Sequence, residues 1–204
     1  MCKHKFILSL FLDIIECLRG AHQEVSPKET FNLMFERYLK NLSSWSLTTK
    51  TLVIMHRCLT DTQLCSPISN ELKCKEHLLH PFQKKASDES YEGKMYYELS
   101  VLYINYLKFL FNFKIKNKIL NIRMSEVSAK VKAQTIGEIF LTYESFDALI
   151  TQIFNIFEHQ TFCKRTRLYT NVIFMLFADL IQIYKVFYVV VTELLERFAD
   201  LTVD

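Results

Sequence analysis

Residues 43–61 read SSWSLTTKTLVIMHRCLTD, and the reading of this stretch decides the fold. Leu47, Thr51, Leu52, Ile54, Met55, Cys58 and Leu59 recur at steps that fit a helix over about Ser44–Leu59. Together they cover well over half of its circumference, and a helix so widely apolar sits centrally, touched on several sides. Lys50 and Arg57, seven residues apart, share the narrow polar face that remains, with His56 beside them. Trp45, the single tryptophan, stands at the mouth of the helix. It is expected to be mostly buried, anchoring that end at the junction with the preceding helix.

The rest of the chain extends the helical theme. Its 204 residues are 50% hydrophobic with 3 Gly and 3 Pro, enough for one domain with a sizeable core and poor in tight turns. A formal charge of +3 is too small to mark a nucleic-acid binder. The 6 Cys follow no disulfide framework and point to a reducing compartment. The start, MCKHKFILSLFLDIIECLRGA, imitates a signal peptide. Against that, Ser9, Asp13, Glu16 and Gly20 fall on one stripe of a helix over about Lys5–Arg19, which Gly20 closes. A processed secreted protein would instead begin near residue 21.

Further helices follow in order. Ser26-Pro27-Lys28-Glu29 is a capping box opening a helix with Phe31, Met34, Phe35 and Tyr38 on one side, fading near Asn41. Ser66-Pro67 starts another that stops before Pro81, and residues 80–92 read as loop. Glu92–Phe113 is long and tyrosine-rich, whereas 114–134 is basic and loosely patterned, the expected mobile loop. Thr135-Ile136-Gly137-Glu138 repeats the capping box and leads to about Glu158, with a break near Ser145. Arg167–Tyr184 and Val186–Leu201 complete the set. Asn171–Val191 has the length of a membrane span, but Asp179, Gln182 and Lys185 in its middle favour a buried bundle helix, so no transmembrane segment is expected. The expectation is one all-α domain over 1–204 with seven to nine helices.

The spacing of Trp45, Lys50, Leu52, His56 and Leu59 resembles the signature helix of the ANTH family, the phosphoinositide-binding domains of clathrin-assembly proteins, related to the ENTH domains of epsins. Upstream, Phe35-Glu36-Arg37 is similar to the family's preceding helix. Downstream, the likeness returns in Met175-Leu176-Phe177-Ala178-Asp179 and in Leu194-Leu195-Glu196-Arg197-Phe198. It spans most of the chain, with residues 62–134 following by pattern alone. The resemblance implies a right-handed all-α solenoid of the ENTH/VHS kind and an adaptor role in endocytosis. It also implies a cytoplasmic protein, peripheral at the plasma membrane or at clathrin-coated pits and vesicles.

The family's lipid site is a Lys followed, about nine residues on, by a Lys-x-Lys/Arg-His/Tyr cluster. Lys3 and Lys5 of Lys3-His4-Lys5-Phe6 match the two basic positions. Phe6 stands where the family has a ring nitrogen or hydroxyl, a place His4 fills if the register slips. The earlier Lys and the first helix would precede Met1, and later helices would follow residue 204, so the chain reads as shortened at both ends. The implied ligand is phosphatidylinositol 4,5-bisphosphate in a membrane. Clathrin and adaptor proteins are implied as partners by the resemblance alone, because Asn-Pro-Phe and Asp-Pro-Phe motifs are missing. Trp45, Lys50, His56 and Asp179 take structural roles. Asp179 lies among Phe174, Met175, Phe177, Leu180 and Ile181, and is expected to reach a cation or backbone donor, with Lys50 or Arg57 as candidates.

Chemically, Lys3, His4 and Lys5 at a helix N-terminus suit a phosphate group, and equally suit a solvated basic terminus. Lys114, Lys116, Lys118, Arg123, Lys130 and Lys132, opposed only by Glu126, fit a solubilising segment or one lying against an anionic leaflet. Lys164-Arg165-Thr166-Arg167 carries the same pair of readings. Aromatics are not interleaved with these charges, so nucleic acid is not expected. Cys74-x-x-His77-x-x-His80 with Cys65 poses a metal question, but Pro81 ends the helix at once and no metal is expected. There is no glycine-rich phosphate loop, His-Glu-x-x-His pair or serine elbow, so neither an enzyme nor a cofactor is expected. Glu193 and Glu196 read as solvent-facing. The alternative function is a protein-interaction solenoid that holds a partner helix, such as that of a SNARE, without binding lipid.

Overall fold

The computed structural model describes residues 13–20, 26–40, 43–61, 71, 90–117, 119–121, 123–160 and 166–201. Among them the regular structure is helical throughout: α1 (Pro27–Lys40), α2 (Trp45–Thr60), α3 (Tyr91–Asn117), a 3-10 turn (Ile119–Asn121), α4 (Met124–Lys132), α5 (Ile136–Gln160) and α6 (Arg167–Leu201). Residues 13–18 are helical as well. The all-α expectation holds. The helix that Ser66-Pro67 should open falls almost wholly outside the described residues. Contacts divide the chain into two compact units, Met1–Ile104 and Asn105–Asp204, and α3 contributes to both.

In the first unit the local signals act as their chemistry requires. Gly20 adopts a φ of 74°, the left-handed conformation that closes a helix, and its N–H donates to the Cys17 carbonyl at 3.0 Å. Asp13 and Glu16 are exposed while Ile15 and Leu18 are buried, so the described part of the stripe, from Asp13 to Gly20, is the solvent face. At α1 the Glu29 N–H donates to Ser26 Oγ at 3.1 Å and the Ser26 N–H donates back to Glu29 Oε2 at 3.3 Å. This is the capping box, and Pro27 at the first helical position loses nothing by lacking an N–H. Helix α1 buries Phe31, Phe35 and Tyr38, whose rings touch in sequence at 6.0 and 5.6 Å, and it packs on α2.

The second unit departs from expectation in three places. The segment 114–134 is not a loop. Helix α3 runs on to Asn117, the 3-10 turn follows, and α4 forms because Val127 and Val131, one turn apart, are both buried. Its Lys130 and Lys132 lie in the last turn, where they complement the helix dipole. Helix α5 passes Ser145 unbroken. The Ser145 hydroxyl donates to the Leu141 carbonyl one turn back at 2.8 Å instead of ending the helix. The two C-terminal helices are one, because nothing between Tyr184 and Val186 removes an N–H or frees the backbone.

Helix α5 opens on its own capping box, with the Thr135 N–H to Glu138 Oε2 at 2.8 Å and the Glu138 N–H to Thr135 Oγ1 at 3.3 Å. These bonds hold the Glu138 carboxyl below its usual range. It buries Ile139, Phe146, Leu149, Ile153 and Ile156 at steps of three, four and seven, and packs along α6, which also receives α4. Phe146 lies 4.5 Å from Phe113 and 6.1 Å from Phe187 between ring centroids. By length and composition α6 could cross a membrane. It was expected to be buried, but only the face towards α4 and α5 is; the opposite side is exposed.

Candidate functional site

Lys3, His4 and Lys5 lie outside the described residues, as do Cys65, Cys74, His77 and His80. What the structure describes begins at Asp13, further along the chain. Residues 13–18 are held by burial of Ile15 and Leu18. Immediately after them, Arg19 Nη2 donates to Asp61 Oδ2 at 2.5 Å, tying the end of this helix to the cap of α2. The hydrogen bond and charge of Asp61 push the Arg19 guanidinium above its usual range. Arg19 is solvent-exposed, so the pair fixes direction more than it adds stability. Near the start of α1, Lys28 Nζ pairs with Glu71 at 2.9 Å.

Helix α2 is as central as its pattern predicts, burying Thr48, Thr49, Leu52, Ile54, Met55, His56, Cys58 and Leu59. Lys50 and Arg57 form the exposed polar face, as expected. His56 does not join them. It is 0% exposed, and its Nδ1 lies 2.7 Å from the Tyr103 hydroxyl on α3. A phenol supplied from another helix satisfies the ring nitrogen inside the core, so His56 can turn away from water. The Thr49 hydroxyl meets the Ser100 hydroxyl at 2.8 Å and donates to the Trp45 carbonyl at 2.7 Å. Burial, with the charge of Asp61 adding, pushes the Cys58 thiol up to about 12, which leaves it protonated and inert.

Trp45 is mostly buried, as expected, with a minor part left exposed. As the first residue of α2 it lacks a preceding turn to cover it. It stacks on Tyr96 of α3 at 4.5 Å with an interplanar angle of 27°. The tryptophan therefore closes the mouth of α2 against α3, where the sequence suggested the helix before it. With part of the indole already in water, Trp45→Ala is expected to cost about 2 kcal/mol, below the range for a fully buried aromatic. Urea unfolding measures this, and a loss above about 4 kcal/mol would mean the indole is a core residue.

Asp179, half-buried on α6, accepts a hydrogen bond from the buried Tyr106 hydroxyl of α3 at 2.5 Å. The expectation was a cation or backbone donor on a neighbouring helix, with Lys50 or Arg57 as candidates; a phenol on a neighbouring helix is one partner that the structure gives it. A neutral hydroxyl brings no second desolvated charge to the site. Glu193, expected to face solvent, is buried and accepts from Arg197 Nε at 2.9 Å. The same guanidinium donates through Nη1 to the Gln134 carbonyl at 2.6 Å and through Nη2 to the Lys132 carbonyl at 2.7 Å. Arg197 thereby caps the C-terminal end of α4. The sequence carried one signal of this, the i,i+4 spacing of Glu193 and Arg197.

The arrangement is one of helices fixed by phenols, capping boxes and one arginine clamp. No group of three or more potential metal ligands occurs among the described residues. Comparison with known families gives a match to the ANTH domain over residues 13–203. No match was found among curated proteins or among solved structures.

Proposed function

The chain belongs to the ANTH domain family, and from this premise we propose that it is a phosphoinositide-binding adaptor domain acting in endocytosis. The family match over residues 13–203 carries the reading. The family is one of all-α, ENTH-like, non-enzymatic adaptor domains, in keeping with the helices described. Lys3 and Lys5, with His4, supply the cations for the phosphates of phosphatidylinositol 4,5-bisphosphate. The domain works peripherally at the plasma membrane or at coated pits and vesicles, and brings clathrin or adaptor proteins there. The supporting chemistry is the basic cluster Lys3-His4-Lys5, ahead in sequence of residues 13–18, whose end is tied to α2 through Arg19 and Asp61.

Co-sedimentation with vesicles containing or lacking the bisphosphate tests the proposal. The wild-type chain should bind the former at low salt and release as salt rises, because the contact is ionic and exposed. Lys3→Glu with Lys5→Glu should weaken binding by roughly tenfold or more, through repulsion at two positions, while the circular dichroism stays helical. An ordinary imidazole gains its proton near pH ~6.5, so binding should strengthen below that pH through His4. Wild-type protein that ignores bisphosphate vesicles at low salt would overturn the reading and leave the helix-binding interaction module in its place.

A further inference from the structure

Phe174, Phe177, Ile181, Tyr184, Tyr188 and Leu195 are each between 48% and 68% exposed. Their steps along α6 are three, four, three, four and seven, and half-exposed Val191 completes the last heptad. A repeat alternating three and four is the 3.5-residue period of a coiled-coil seam, with Phe174, Ile181, Tyr188 and Leu195 at one core position and Phe177, Tyr184 and Val191 at the other. The face opposite this seam is already occupied by α4 and α5. The helix is therefore apolar on two sides, and among the described residues α4 and α5 cover one of them, reaching the other only where Phe177 stacks on Phe157 of α5 at 4.7 Å.

We infer that this seam is the interface at which two copies of the chain pair, α6 against α6. Two observations choose the occupant. The first is area: six large side chains, roughly half to two-thirds exposed, present on the order of 700–800 Å² per copy. A stable protein–protein interface takes about 800 Å² from each partner. The second is charge. The residues bordering the seam from Ala178 to Leu194 are Ala178, Leu180, Lys185, Phe187, Thr192 and Leu194, so Lys185 is the single charge among them. A face with no block of either sign has nothing to recognise a charged partner by, and nothing to repel its own kind. A helix lying on a lipid surface would instead turn a strongly charged face to water. In α6 that side packs on protein. Tyr184 and Tyr188 suit a protein interface, offering area with a hydroxyl at the rim.

Sedimentation equilibrium of the intact chain tests the pairing. The expected species has about twice the 24.2 kDa of one chain at micromolar concentration. Ile181→Glu with Tyr188→Glu should raise the dimer dissociation constant by roughly a hundredfold or more, since four carboxylates would meet in an apolar seam. Both residues are exposed in one copy, so the helical circular dichroism should not change. Leu33→Glu, equally exposed on α1 but outside the seam, should leave the dimer intact. A wild-type chain that stays monomeric at 100-fold higher concentration overturns the inference. So does a dimer indifferent to the seam charges. Vesicle binding by a monomeric wild-type chain that is abolished by the same two substitutions would assign the face to lipid instead.

Discussion

Arg197→Ala is expected to destabilise the fold by about 3 kcal/mol, because one side chain serves three acceptors. Its guanidinium holds Glu193 Oε1 and the carbonyls of Lys132 and Gln134, joining the end of α4 to α6. The Arg197 side chain is 26% exposed and that of Glu193 11%, so water replaces these bonds poorly. Two effects add in the alanine variant: the last carbonyls of α4 lose their cap, and a buried carboxylate loses its cation. Arg197→Lys keeps the charge but cannot present the planar fork, and should recover less than half of the loss. Adding Glu193→Gln to Arg197→Ala should restore about 1 kcal/mol by removing the stranded charge. Urea unfolding of the four proteins decides it. A loss below about 0.5 kcal/mol in Arg197→Ala would place the clamp among surface pairs that contribute nothing measurable.

That clamp marks the boundary of what the sequence discloses. Both capping boxes and the left-handed Gly20 were legible because each is completed within a few residues of its own helix end. The central position of α2 was legible because its apolar residues outnumber what one neighbour could cover. Helix α4 was not, since two valines among seven charged residues over 123–132 and 114–118 leave too faint a period to separate helix from loop. The partners of His56 and Asp179 were illegible for a shared reason. The hydroxyls they meet, on Tyr103 and Tyr106, lie 47 and 73 residues away, and a phenol carries no charge to advertise the pairing. The alternating steps of the seam on α6 stand in the sequence, but the expected break between Tyr184 and Val186 divided them. The seam was also hidden by the assumption that an apolar helix is a buried one. The lysine cluster proposed for lipid binding rests on its resemblance to the family's motif, ahead of the matched residues 13–203.

His56→Ala is expected to cost about 3–4 kcal/mol, a cavity in the core together with the loss of a buried hydrogen bond. His56 and Tyr103 are both 0% exposed, and their rings stand 5.7 Å apart between α2 and α3. Substitutions that keep the volume separate the two contributions. His56→Phe retains a ring but deprives the Tyr103 hydroxyl of this partner, and should cost about 2 kcal/mol. Tyr103→Phe deprives His56 Nδ1 in the same way and should cost about as much. The double variant leaves neither group wanting the other, so it should cost well under the sum, with a coupling of about 1–2 kcal/mol. Thermal or urea unfolding of the four corners measures that coupling. If the two phenylalanine substitutions simply add, the 2.7 Å contact contributes no specific interaction. The histidine would then be held in the core by shape alone, and the sequence reading that put it beside Arg57 on the polar face would have lost only to packing.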